Sequence, residues 1–130
     1  MTKLNAAVLA VALAFVATAC GGSSDSSSSG NSTQSCTRGS GASLECWEFS
    51  SNYPGGFTAG CNASGGSAQS GACTSTNRVG RCTTTFTAGT ISYSVTEAYY
   101  SAASAPTPAE CAAIAGSSGG VTFSSVWTPN

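Results

Sequence analysis

The chain predicts an α+β domain: a small, disulfide-stabilised antiparallel sheet of four or five strands with one or two short helices on one face. Three observations carry that expectation. Short β-branched and aromatic runs alternate with polar residues at a period of two, as strands with one buried face do. A capped, alanine-rich segment near the C-terminus reads as a helix. Cysteine is abundant where aliphatic residues are scarce: seven of the 130 residues are cysteine, yet beyond Cys20 there are one Leu, two Ile, four Val and four Phe. A core that thin seldom holds a domain of roughly a hundred residues by burial alone, so cross-links must contribute.

Leu44–Ser50 (LECWEFS) is the first expected strand, with Cys46 and Trp47 on opposite faces. Cys82–Thr87 (CTTTFT) is β-branched and joins the next strand through Ala88-Gly89, a tight hairpin. In Thr90–Tyr100, Ile91, Tyr93, Val95 and Tyr99 share one face, and Glu97 breaks it. A helix is expected over 108–115: Thr107 caps it, Pro108 fits its first position, Glu110 completes a capping box and Gly116 ends it. Cys111 and Ile114, spaced i, i+3, put a sulfur on the helix's inward face. Val121–Trp127 follows Gly119-Gly120 as the last strand, with Val121, Phe123 and Trp127 on one side. A weak internal echo runs through the domain. Trp47-Glu48-Phe49-Ser50, then Cys61, then Gly65-Gly66, parallels Tyr99-Tyr100-Ser101, then Cys111, then Gly119-Gly120. If the echo is structural, a second short helix lies near Phe57–Ala63.

Residues 1–19 read as an export signal: Lys3, an uncharged apolar stretch from Leu4 to Val16, then small residues. As a helix the apolar stretch would span ~20 Å, short of the ~30 Å membrane core. Ala17-Thr18-Ala19-Cys20 resembles a lipobox, the site at which bacterial lipoproteins are cleaved before a lipidated cysteine. Ala17 stands where Leu is commoner, and Ala17-x-Ala19 also fits an ordinary signal-peptidase site. Cysteine arithmetic separates the two. With Cys20 lipidated, six cysteines remain (Cys36, Cys46, Cys61, Cys73, Cys82 and Cys111), an even number for three disulfides. The lipobox resemblance implies a cell-envelope location, lipid-anchored to the outer membrane because Gly21 rather than Asp follows Cys20, with the domain facing the periplasm or the cell exterior. Residues 20–35 then form the lipidated cysteine and a Ser/Gly-rich tether with a reach of ~20 Å, and 36–130 the globular domain.

Exported small domains are oxidised and rely on disulfides. Six cysteines allow 15 pairings. Cys73 and Cys82 flank a turn-like segment and could bridge it locally, while Cys111 needs a cysteine on a strand beneath the helix. The domain also resembles a group of short cysteine-rich bacterial lipoproteins. The resemblance is carried by Cys73–Cys82 around Thr76-Asn77-Arg78-Val79-Gly80-Arg81, by Tyr99-Tyr100-Ser101, and by Cys111 with a following Gly119-Gly120. It covers about two-thirds of the globular part, and it implies this architecture and location without an activity.

Composition excludes most catalysis. There is no histidine to activate a Ser or Cys nucleophile, and Lys3 is the sole lysine. No Cys-x-x-Cys pair exists for disulfide exchange, and the cysteine spacings lack the close ligand pairs of a zinc site. Asp25 is the sole aspartate, so calcium has no ligand cluster. Arg38, Arg78 and Arg81 are too few to neutralise a nucleic-acid backbone. The reading is therefore no catalytic residue, no metal and no cofactor, with the membrane as partner through the anchor and a surface glycan or protein as a further one. Carboxylate chemistry is the residual enzymatic option; it would need two of Glu45, Glu48, Glu97 and Glu110 in one cleft. Rings beyond the needs of a small core, Trp47, Tyr53, Phe57, Tyr99, Tyr100 and Trp127, with Trp47, Tyr53, Tyr100 and Trp127 above all, are the candidate ligand-binding residues of an adhesin, the alternative being that they form the core in place of the missing Leu and Ile. Phe86, Tyr93 and Phe123 are read as core. An inhibitor of hydrolases is the other alternative, presenting Thr74–Arg81 with Arg78 at its tip.

Overall fold

The computed structural model describes residues 33–54 and 56–130; the signal peptide, Cys20 and nearly all of the tether lie outside the described residues. Strands β1 (Gln34–Arg38) and β2 (Glu45–Phe49) are joined through a 3-10 turn at Gly41–Ser43. Helix α1 (Phe57–Ala63) leads to β3 (Ser67–Ser70). Then come β4 (Gly80–Ala88), β5 (Ile91–Tyr99), helix α2 (Pro108–Ala112), β6 (Gly116–Ser118) and β7 (Val121–Pro129). All the strands join one antiparallel sheet in the order β3-β1-β2-β5-β4-β7-β6.

Seven strands, against the four or five expected, is a correction with a physical cause. The additional ones, β1 (QSCTR), β3 (SAQS) and β6 (GSS), carry no large apolar side chain and no alternation. They are strands because a neighbour offers an edge of unpaired backbone groups. β1 also takes in Gln34 and Ser35, which read as tether; Ser35 is only 1% exposed. The β4–β5 hairpin turns at Gly89-Thr90, since Ala88 pairs with Ile91, one residue later than expected. The β6–β7 turn is Gly119-Gly120, both at positive φ (58° and 80°), a pair of backbone conformations that favours glycine at both positions.

Helix α2 starts as expected. Thr107 Oγ1 accepts from the Glu110 backbone N–H at 3.2 Å, and the Glu110 carboxylate accepts from the Thr107 N–H at 2.7 Å. The helix ends at Ala112, three residues short of the expected end at 115. The Ile114 carbonyl instead accepts from Ser125 Oγ at 2.8 Å, which draws the chain down to the sheet so that Gly116 can pair with Phe123.

The internal echo is a structural duplication. In each half two antiparallel strands are followed by a helix and then by a strand that pairs with the first: β1-β2-α1-β3, and β4-β5-α2-β7 with β6 as an added edge. Each half carries the same staple, from the third residue of its first strand to its helix, Cys36–Cys61 and Cys82–Cys111. Cys36 pairs across the sheet with Trp47 and Ala68; Cys82 pairs with Glu97 and Trp127. The halves meet where Trp47 pairs with Glu97, along β2 and β5.

Paired residues share a face, so Ala68, Cys36, Trp47, Glu97, Cys82 and Trp127 form one row on the face that bears both helices. The same face carries the aromatic core. Phe49 meets Tyr53 and Phe57 edge-on at 4.8 and 4.9 Å, and Phe86 lies 5.1 Å from Tyr93 and 6.0 Å from Phe123. Thr84 and Ser125 are buried beside it and satisfy each other at 2.7 Å. The opposite face is mainly Ser and Thr, including Thr83, Thr85, Thr87, Ser92, Ser94, Thr122 and Ser124. Its one apolar cluster surrounds the third disulfide, Cys46–Cys73, with Ala98, Tyr100 and Leu44.

Candidate binding strip on the helix-bearing face

The helices leave one end of their face partly uncovered. α1 packs on β1 and β3 and α2 on β7, and between them the Glu45–Trp47 end of β2 and the Glu97–Tyr99 end of β5 are only half-buried, while Phe49 and Val95 further along are core. Alternation puts Glu45 and Trp47 of β2, and Glu97 and Tyr99 of β5, on that floor. Trp127 closes one side: its ring lies 5.8 Å from Tyr99 and rests on the backbone of Gly80, where any Cβ would overlap the indole. Arg38 closes the other. Its Nε donates to Glu45 at 2.8 Å and its Nη1 to the Ser64 carbonyl at the end of α1 at 3.3 Å, and its guanidinium sits 5.4 Å from the centre of the Trp47 ring. The result is a strip of three half-buried rings, Trp47, Tyr99 and Trp127, around the half-buried carboxyl group of Glu97.

Burial is the main influence on Glu97 and holds its carboxyl above the ordinary glutamate range; the Tyr99 hydroxyl facing it pulls the other way, and the negative charge of Glu45 adds to the rise. Burial likewise raises the Tyr99 phenol, helped by Glu97. A carboxyl whose folded value exceeds its unfolded one binds its proton more tightly in the folded state. Its stabilising effect is full below the unfolded glutamate range and is lost as pH rises through the folded value. Glu97→Gln is therefore expected to raise the midpoint of urea unfolding at neutral pH and to flatten the fall in stability between acid and neutral pH. A variant whose midpoint tracks the parent at every pH would show that Glu97 ionises without cost in the fold.

The candidate ligand-binding residues are divided between sites. Trp47 and Trp127 lie in the same row of this strip. Tyr53 instead packs on Phe49 and Tyr93, beside a shallow apolar recess at the Cys36–Cys61 disulfide. Tyr100 is buried on the opposite face beside Cys46–Cys73, its hydroxyl donating to the Thr74 carbonyl at 2.8 Å. Glu45 and Glu48 point to opposite faces, as their spacing requires. Arg78, expected at the tip of an exposed loop, is drawn against the sheet: it donates to Asn130 Oδ1 at 2.9 Å, and its side chain is 12% exposed beside Glu48. Glu48 in turn accepts from the Cys73 N–H at 3.0 Å.

All six domain cysteines are paired. Cys111 meets a strand cysteine, Cys82. The local Cys73–Cys82 bridge does not form, because Cys82 belongs to the helix-bearing face while Cys73 crosses to Cys46 on the other. Tyr99 was among the rings the sequence offered, whereas Arg38, Glu45 and Glu97 were not singled out as binding residues; the available signal was Glu97, the acid that interrupts the apolar face of its strand. Among the described residues no helix is long and apolar enough to cross a membrane. Comparison of the chain with protein-family models, with characterised proteins and with solved structures gives no match.

Proposed function

We propose that the protein is a cell-envelope lipoprotein of the short cysteine-rich bacterial kind, anchored through a lipid on Cys20, whose domain acts as a non-catalytic binding module. What supports this reading is the division of the cysteines. The six in the domain pair with one another, and the odd seventh, Cys20, follows an apolar export segment at the position a lipobox requires. Three buried cross-links belong to an oxidising compartment outside the cytoplasm. A diacylated and N-acylated cysteine would hold the chain on a bilayer essentially permanently, since each buried methylene contributes ~0.8 kcal/mol. Mass spectrometry of the native protein tests the reading. The expected species begins at an acylated Cys20 and has no thiol that alkylates without reduction. A soluble species beginning at an unmodified cysteine, or alkylatable thiols among the other six, would overturn it.

A further inference from the structure

Resting on the reading of the domain as a binding module, we propose that the strip formed by Trp47, Glu97, Tyr99 and Trp127 is a binding site for a neutral glycan chain. Aromatic rings offer the flat apolar faces on which the C–H side of a pyranose stacks, and they do so at low entropic cost because a ring has two side-chain torsions. Trp127 is held for that purpose by its seat on Gly80, and the Tyr99 ring stands beside it at an interplanar angle of 46°. Two inclined rings match a folded chain better than a flat aromatic ligand. Glu97 and the Cys82–Cys111 bridge lie in the row between the two tryptophans, whose backbones are three strand spacings or ~14 Å apart; the Trp127 ring leans across Gly80 to Tyr99, so the strip turns from Trp47 past Glu97 and Tyr99 to Trp127 on the scale of a short oligosaccharide. Its carboxyl, beside the Tyr99 hydroxyl, forms a donor and acceptor pair for sugar hydroxyls.

Charge selects the class of glycan. Among the described residues Arg38 is the one cation the register places on this face, and Glu45 already occupies it; Arg81 pairs with Ala98 and belongs to the opposite face, where Arg78 also lies against Glu48. An anionic polysaccharide would meet two carboxyl groups and no uncommitted cation. A basic peptide is the less favoured occupant, because burial works against the charged form of Glu97 that such a peptide would need.

Both tryptophans of the chain lie in the strip, so intrinsic fluorescence reports on it directly. The purified full-length protein is titrated with cellohexaose, chitohexaose, mannohexaose and maltohexaose, with polygalacturonate, and with polylysine. At least one neutral hexasaccharide is expected to shift the emission saturably, with polygalacturonate silent. Trp127→Phe and Glu97→Gln are each expected to weaken binding about tenfold, while Thr85→Ala and Ser124→Ala on the opposite face change nothing. Glu97→Gln is read together with its urea midpoint: a variant at least as stable as the parent that binds less has lost the ligand contact and not the fold. Silence from every neutral glycan, binding unaltered by both strip variants, or a response to polylysine or polygalacturonate alone would overturn the proposal. An acylated Cys20 combined with silent glycans would refute the ligand and leave the lipoprotein reading standing.

Discussion

Replacing Cys82 and Cys111 together with alanine should lower the thermal midpoint of the domain by about 15–25 °C, more than any other change short of full reduction. The bond closes a chain segment of 29 residues. Fixing a loop of that length removes unfolded-state entropy worth about 3–4 kcal/mol on the chain-entropy account, and for a domain near a hundred residues each kcal/mol shifts the midpoint by about 4–8 °C. Its position adds to the effect. Cys36–Cys61 and Cys46–Cys73 overlap in the first half, so either one shortens the unfolded path that the other must close. The second half has Cys82–Cys111 alone among the described residues, and α2 is a five-residue helix far below the length that persists by itself. Without the bond, α2 is held by its capping box and the Ser125–Ile114 contact. The Cys46→Ala/Cys73→Ala pair is therefore expected to cost less, despite a separation of 27 residues. Calorimetry of both double variants checks the order, and a larger loss for the Cys46–Cys73 pair would contradict it.

The same distinction between local and long-range information explains what could be read without coordinates. β5 and β7 were legible because Ile91, Tyr93 and Val95, and Val121, Phe123 and Trp127, keep to one face at a period of two, β4 because CTTTFT is β-branched, and α2 because Thr107, Pro108 and Glu110 stand at the cap, first and third positions of a helix start. β1, β3 and β6 were not. Nothing in Ser67-Ala68-Gln69-Ser70 asks for a strand; β3 exists because β1 presents unpaired backbone groups beside it. With β1 unseen, Arg38 had no reason to meet Glu45 or Trp47, and the strip lost one side. The other side failed for a similar reason, since Trp127 and Tyr99 come together across β4 only through a glycine. The local Cys73–Cys82 bridge assumed that nearness along the chain is nearness in space, whereas the two cysteines belong to different faces. The internal echo did carry long-range information. Matching Cys61 with Cys111 foreshadowed the repeated strand-to-helix staple; the meeting of the halves at Trp47 and Glu97 came from the sheet register alone.

Gly80→Ala is expected to unseat Trp127, with consequences for stability and for the strip together. Gly80 opens β4 opposite Tyr99 and Pro129. A methyl carbon there would overlap Cζ2 of the Trp127 ring and lie 2.6 Å from Cη2 and 2.9 Å from Cε2. Non-bonded carbon atoms pack at about 3.5–4.0 Å and do not come that close. The backbone of β4 is fixed by pairing on both sides, so the ring must give way. Pushing a large side chain off its packed position costs about 1–3 kcal/mol, or roughly 5–15 °C in the midpoint. The displaced indole should also emit further to the red and lose its contact with Tyr99. Gly116→Ala provides the comparison, because its methyl group would lie 3.1 Å from one atom of Phe123 and no closer than 3.6 Å to the next. A tilt of the Phe123 ring relieves that contact at the edge of the sheet, so the loss should stay under about 1 kcal/mol. If Gly80→Ala melts and emits like the parent, Trp127 does not rest on β4 in solution, and the platform assigned to it is absent.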